Sequence, residues 1–489
     1  MARTSDEIVS DLVRYVLGPP PLATLSLRRP IRRLPRPAAS HAAWRGLSES
    51  HLAEVFRYLP VPDLLRLGYL FTPNWREVWR RYPLYLHDRQ FASLPIPRSE
   101  VANAITNVLE DFVGGEGVEP VLGSVHTFRV ESTEWVLDHA NRWCGALRRG
   151  KAVEVVLFNR GSSDRPSMIV NLPRRLLECT TVTILHLAFF TVRAGELDAL
   201  TGITDLGLHG CACSNDVIER VVTACSNLEK LSVHDGAIGS VVVRSAHSLS
   251  CLSMLHTASR SLSVDDVPVL HDLLPGFAAA LSIRRAPQLT GLLRLNLPGT
   301  TLKINGVKIA VGRWQMQPRA QMPSVFALRL ALDYTALRRM GQHMVPRVVR
   351  QMLTRFPHLD RLIIERKDDV PREERMASLV DAHTLGHPDL FRYGLGGLYW
   401  RLHTLVLLDF RAGKAELDLL KALMKTTQKL WDVQLVYRAS RHGIVHATAR
   451  ASEALRKFVL RSNNHRLREH PFLLRISYTL LCLHWYLWV

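Results

Sequence analysis

Short apolar pairs separated by one residue return along most of the chain at nearly even intervals, and no other feature restricts its possible folds as much. The pairs are Val155/Leu157, Leu185/Leu187, Leu206/Leu208, Leu231/Val233, Leu252/Met254, Leu281/Ile283, Leu293/Leu295, Leu328/Leu330, Leu362/Ile364, Leu405/Leu407 and Val433/Leu435. Alternation with period two predicts a strand that turns one face inward. From Leu185 through Leu206 and Leu231 to Leu252 the steps are 21, 25 and 21 residues. A unit of that size cannot cover its own apolar face, so stacking on neighbours must supply the core.

That period is the one expected of leucine-rich repeats. Helical return segments are predicted at Asp216–Ala224, Pro346–Phe356 and Glu416–Thr426, and a loop at Gly394-Leu395-Gly396-Gly397. A generic α/β domain with buried strands is the competing interpretation. The 489 residues exceed one ordinary core. They are 47% hydrophobic but only 7% aromatic, a balance that suits stacked leucines better than aromatic clusters.

The front of the chain reads differently. Residues 1–44 hold a short helical pattern at Ile8, Leu12, Val13 and Val16, followed by an arm rich in proline and arginine. Residues 45–91 contain three short helical segments with tight breaks. Leu52, Val55, Phe56 and Leu59 recur at i, i+3, i+4 and i+7, which makes one apolar helix face. Pro60-Val61-Pro62 ends that helix, and Asp63 suits the first turn of the next, which carries Leu64, Leu65, Leu67 and Leu70. Thr72-Pro73 has the form of an N-cap followed by proline, and a third helix then brings Trp75, Val78 and Trp79.

Leu47-Ser48 followed by the first helix, then Asp63-Leu64-Leu65, then Trp75-Arg76-Glu77-Val78-Trp79, resembles an F-box. Ser48 stands where proline is usual and Pro73-Asn74 where a basic pair is usual; the apolar framework is intact. Further on, Trp143, Ala146, Arg148, Arg149, Leu172-Pro173, Cys179, Cys225, Asn227 and Leu228 resemble the repeats of the plant F-box/LRR/FBD family. Leu405-Val406-Leu407, Phe410-Arg411, Gly413 and Glu416-Leu417 resemble the start of an FBD module.

The resemblance implies a small all-α F-box followed by an α/β leucine-rich-repeat solenoid, a horseshoe with an FBD-like C-terminal part. The expected divisions are a basic arm at 1–44, the F-box at 45–91, repeats at 92–400, an FBD-like part at 401–440, and a basic then apolar tail at 441–489. It also implies a substrate-recognition subunit of an SCF-type ubiquitin ligase. Such a subunit docks on the SKP adaptor, and through it on cullin, while its repeats hold a target protein that the sequence does not identify. Leu47, Leu52, Val55, Leu59, Leu64 and Leu65 are the candidate adaptor-binding residues, with a self-contained core as the alternative for each. Phe56, Leu67, Leu70, Trp75 and Trp79 are assigned to packing, inside the F-box or against the first repeats. A repeat scaffold without adaptor contact is the competing function.

No GxSxG, GxGxxG, GxxxxGK[ST] or HExxH occurs, so no catalytic role and no cofactor is expected. The seven cysteines form no CxxC pair, and Cys211-Ala-Cys213 has no second cluster to complete a metal site. With no secretory leader pattern, free thiols point to a reducing cytoplasmic or nuclear setting. The net charge of +19 gathers partly at Arg28, Arg29, Arg32, Arg33 and Arg36 and at Arg441, Arg450, Arg456, Lys457, Arg461, Arg466 and Arg468. Without a recognition motif these segments read as solvated arms rather than a nucleic-acid interface. The apolar run Pro471–Val489 is broken by Arg475 and His484, too short to span a bilayer, and suits a buried or interfacial helix.

Overall fold

The computed structural model describes residues 59–64, 79–92, 94, 96–114, 124–159, 169–214, 216–311, 320–341, 344–367, 401–410, 414–427, 430, 432–438 and 473–479. The chain divides into two compact units, residues 1–238 and 239–489, and each carries a ladder of parallel strands.

In the first unit the ladder runs β1 (Leu84–His87), β2 (Val125–Val130), β3 (Glu154–Phe158), β5 (Ile184–Ala188), β7 (Asp205–His209) and β9 (Lys230–His234). A minor sheet pairs β4 (Val170–Asn171), β6 (Phe190–Val192) and β8 (Ala212–Cys213). Among the described residues, three α-helices return the chain: α1 (Arg98–Val113), α2 (Leu137–Arg149) and α3 (Val217–Ala224). Helix α1 buries Ala102, Ile105, Leu109 and Phe112, one stripe at helical spacing, and stops at Gly114, whose φ of 76° suits glycine. Helix α2 buries Ala140, Trp143, Cys144 and Leu147; Asp138 in its first turn and Arg148 and Arg149 in its last complement the helix dipole. The two helices are joined where Trp143 Nε1 donates to Thr106 Oγ1 at 2.7 Å.

In the second unit the main ladder is β11 (Cys251–Ser253), β13 (Asp272–Leu274), β16 (Gly291–Leu297), β19 (Ala327–Leu332), β20 (Arg361–Arg366), β21 (Thr404–Leu408), β22 (Asp432–Arg438) and β23 (Leu473–Thr479). A second sheet runs β10 (Ala237–Arg244, all but its first two residues in this unit), β12 (Ala258–Asp265), β15 (Ala280–Arg284), β17 (Thr301–Ile304) and β18 (Val307–Ile309). Strand β14 (Phe277–Ala278) lies beside β12. Helices α4 (Tyr334–Met340), α5 (Met344–Arg355) and α6 (Lys414–Thr426) serve later repeats. Return helices thus occur at all three predicted places.

The alternating pairs form strands throughout, with three corrections. Leu281 and Ile283 lie on β15 of the second sheet, and the main-ladder strand of that repeat is Asp272–Leu274. Both sheets bury alternate residues, so period two cannot say which sheet a strand joins. In β16 the buried leucines are Leu292, Leu295 and Leu297, and Leu293 is only half-buried, because the register against β19 shifts at Arg294, whose φ is 61°. Third, part of the apolar tail is a strand and not a helix: Leu473–Thr479 pairs in parallel with Asp432–Arg438 along its whole length. A short apolar run is ambiguous between helix and strand by itself. The open edge of β22, with its row of N–H and C=O groups, decides in favour of the strand.

The ladder also starts earlier than the sequence suggests. Leu84–His87, inside the segment assigned to the F-box, pairs in parallel with β2. The loop expected at 394–397 and the basic segments lie outside the described residues. Among the described residues, no helix is long and apolar enough to cross a membrane.

Candidate functional site

Of the adaptor-binding candidates, Leu59 and Leu64 are among the described residues; Leu47, Leu52, Val55 and Leu65 lie outside them. Leu59 is half-buried. Leu64 is only 6% exposed. Pro60 starts the short helical turn at 61–64 by accepting from the amides of Asp63 and Leu64 at 2.9 and 3.0 Å. Phe56, Leu67, Leu70 and Trp75 lie outside the described residues.

Trp79 is described, and it is buried against the first helix behind it. Its ring meets Phe112 of α1 edge-on at 5.2 Å between centroids. Next to it, Arg80 Nε donates to the Asp111 carbonyl at 2.8 Å. A second tie fixes the start of the ladder. Asp88 Oδ2 accepts from the amides of Glu131, Ser132 and Thr133 at 3.0, 2.6 and 2.8 Å and from the hydroxyls of Ser132 and Thr133. Burial pushes the Asp88 carboxyl up, but His87 and the donors of Ser132 outweigh it and hold the group at about 2. Residues 79–88 therefore rest on α1 and on the turn after β2 through the Trp79–Phe112 contact, the Arg80–Asp111 hydrogen bond and the buried Asp88 carboxylate.

On the face of the first ladder opposite its leucines lies a row of histidines that the sequence reading did not single out. His186 on β5, His209 on β7 and His234 on β9 are 5%, 0% and 0% exposed. Asp205 pairs with His186 Nε2 at 3.2 Å, and His186 Nδ1 meets His209 Nε2 at 3.2 Å with the rings stacked. His209 in turn packs against His234 at 4.9 Å between centroids. With Nε2–H of His186 donating to the carboxylate, its Nδ1 accepts from His209 Nε2–H. Burial, with His234 and His186 alongside, pushes His209 well below its ordinary range, so it is neutral. A glycine makes the row possible: Gly207 sits in register with His186, in the space the two rings occupy. The signal was in the spacing, since 23 and 25 residues separate the three, the repeat period itself.

The corresponding face of the second unit is more open. Arg294 and Arg329 converge on Glu365, at 3.2 and 2.9 Å, with side chains 17–19% exposed. Beside this polar group, Ile363, Val406, Leu408 and Val436 form a buried apolar cluster. At the strand-entry edge, a shallow hollow of about 570 Å³ is lined by His271, Pro287, Pro323, Phe326 and His358 among others, and Phe326 is 44% exposed. These are features that suit protein contact: an exposed aromatic, prolines and a mixed polar rim.

Burial pushes the Cys179 thiol up to about 12 and that of Cys211 to about 11, and Cys211 Sγ donates to the carbonyls of Leu187 and His209. Among the described residues, no three His, Cys, Asp or Glu side chains are gathered so as to hold a metal.

A parallel ladder with one buried strand per repeat, with helices and short strands returning between them, defines a leucine-rich-repeat protein. Residues 140–364 match the family model described as "FBD-associated F-box protein At5g56370, LRR repeats". Over this region the chain is similar to the leucine-rich repeats of FBD-associated F-box proteins. No curated protein matches it.

Proposed function

We propose that the chain is the substrate-recognition subunit of an SCF-type cullin-RING ubiquitin ligase, acting in the cytoplasm or nucleus. In this reading residues 45–91 are an F-box that docks the SKP adaptor and, through it, cullin. The repeats behind it form a solenoid that holds a target protein. The chain itself performs no chemistry; it raises the effective concentration of the target near the transfer machinery. The observation that carries the proposal is the match of residues 140–364 to repeats of FBD-associated F-box type. The Trp79–Phe112 contact supports it, because it ties the end of the proposed F-box segment to the first helix behind it.

Co-expression with an SKP adaptor tests this. The wild-type chain should co-purify with the adaptor, and Leu52→Asp with Leu65→Asp should abolish that while leaving the melting temperature of the repeats in place. Wild-type chain that folds yet captures no adaptor sinks the proposal. A second reading, a repeat scaffold without adaptor contact, is favoured by the burial of Leu64. Micromolar or tighter adaptor binding eliminates it.

A further inference from the structure

We propose that the outer face of the second sheet in the 239–489 unit docks an acidic segment of a partner protein. The inward row of this sheet is apolar and closed: Leu262, Leu281, Leu302 and Ile309 are 0–3% exposed and follow one another in register across β12, β15, β17 and β18. One position along, the outward row reads Ser263, Ser282, Lys303, Lys308, again strand to strand. Every member is a hydrogen-bond donor, and none is an acid.

The lysines are the informative pair. They stand directly opposite each other across β17 and β18, both exposed, and among the described residues neither has an acidic partner. Like charges in direct cross-strand register destabilise a sheet. The hairpin holds them there, since Asn305 and Gly306 turn the chain with φ of 49° and 81°, the left-handed pair that two-residue hairpins require. Asp265, on the same face of β12 as Ser263, is already held by Arg284 at 2.8 Å and Arg285 at 3.2 Å, which leaves the lysines uncompensated by it. An anion laid along the row would relieve the repulsion and accept from lysines and serines together.

The chemistry of the face selects among anions. The floor beside the lysines is made of Ser261, Ala280 and Thr301, small enough for an extended backbone to lie close. It offers no aromatic platform on which a nucleic-acid base could stack, and no protruding apolar side chain to enter a lipid surface. A polypeptide with several carboxylates fits best. This surface shares no residue with the F-box segment, so its test is independent of adaptor binding.

The experiment is fluorescence anisotropy of a labelled ten-glutamate peptide with the full chain at low salt. Lys303→Glu with Lys308→Glu should weaken binding at least about tenfold. Replacing Arg28, Arg29, Arg32, Arg33 and Arg36 by Gln, which discharges the N-terminal arm, should change it less than twofold. Lys308→Glu alone should weaken binding yet raise the melting temperature, because an opposite-charge pair replaces a like-charge one; a merely structural lysine pair would not separate these signs. The proposal is overturned if the double change leaves affinity within twofold. It is equally overturned if single-stranded DNA of equal charge binds through the same lysines more tightly. Self-association of the double variant with peptide affinity intact would also overturn it, since the lysines would then be guards of an open sheet edge.

Discussion

Replacing Gly207 by alanine probes the histidine row directly. A Cβ at this position would overlap His186 Nδ1 and lie 2.6 Å from His209 Nε2, so the stacked pair cannot persist. The backbone is no obstacle, because Gly207 does not have the left-handed φ that excludes alanine. Forcing a ring out of a packed site costs about 1–3 kcal/mol. Loss of the His186–His209 hydrogen bond adds about 1 kcal/mol. The expected destabilisation is therefore about 2–4 kcal/mol, several degrees in melting temperature for a unit of this size. Urea unfolding followed by tryptophan fluorescence measures it, with Trp135 and Trp143 buried in the same unit. In a His186→Ala background the obstruction is gone, and the same glycine change should cost less than about 1 kcal/mol or even stabilise, since alanine restricts the unfolded chain. An equal cost in both backgrounds would refute the role assigned to Gly207, because coupling between touching residues must appear in such a cycle.

Stability of the first unit should fall as pH drops below about 6.5. The unfolded chain protonates His209 there while the folded chain, with its lowered pKa, keeps it neutral; His209→Phe should flatten urea midpoints measured between pH 5 and 7.5. Asp88 works in the opposite part of the scale: its stabilisation is full above its ordinary value of 3.8 and is lost as pH falls from there through about 2. At pH 7, Asp88→Ala strands the donors of Glu131, Ser132 and Thr133 and should cost at least about 3 kcal/mol, read as a lower melting temperature. Trp79→Ala opens the seat between the front segment and α1 and should cost about 3–5 kcal/mol. Faster hydrogen exchange should then be confined to α1 and its neighbours.

The leucine alternation and its period were enough to place most strands, because an inward face must repeat every second residue whatever surrounds it. Return helices at Val217–Ala224, Met344–Arg355 and Lys414–Thr426 were legible for the same reason, as apolar stripes of helical period. The resemblance at 140–364 was legible because repeats carry their motif in every unit.

What tertiary structure alone decided is which strand stands beside which. Leu281 and Ile283 alternate as well as any main-ladder pair, yet their neighbours are Leu302 and Ile304 of the second sheet. The tail run Leu473–Thr479 has no strand identity until β22 offers an edge. His186, His209 and His234 lie one to a repeat, and only parallel stacking turns them into a contiguous buried row with Asp205 at its end. Lys303 and Lys308 likewise face each other only once the hairpin has fixed their register. Period is a property of one segment and can be read from it; neighbourhood belongs to two segments at once and exists only after the chain has stacked.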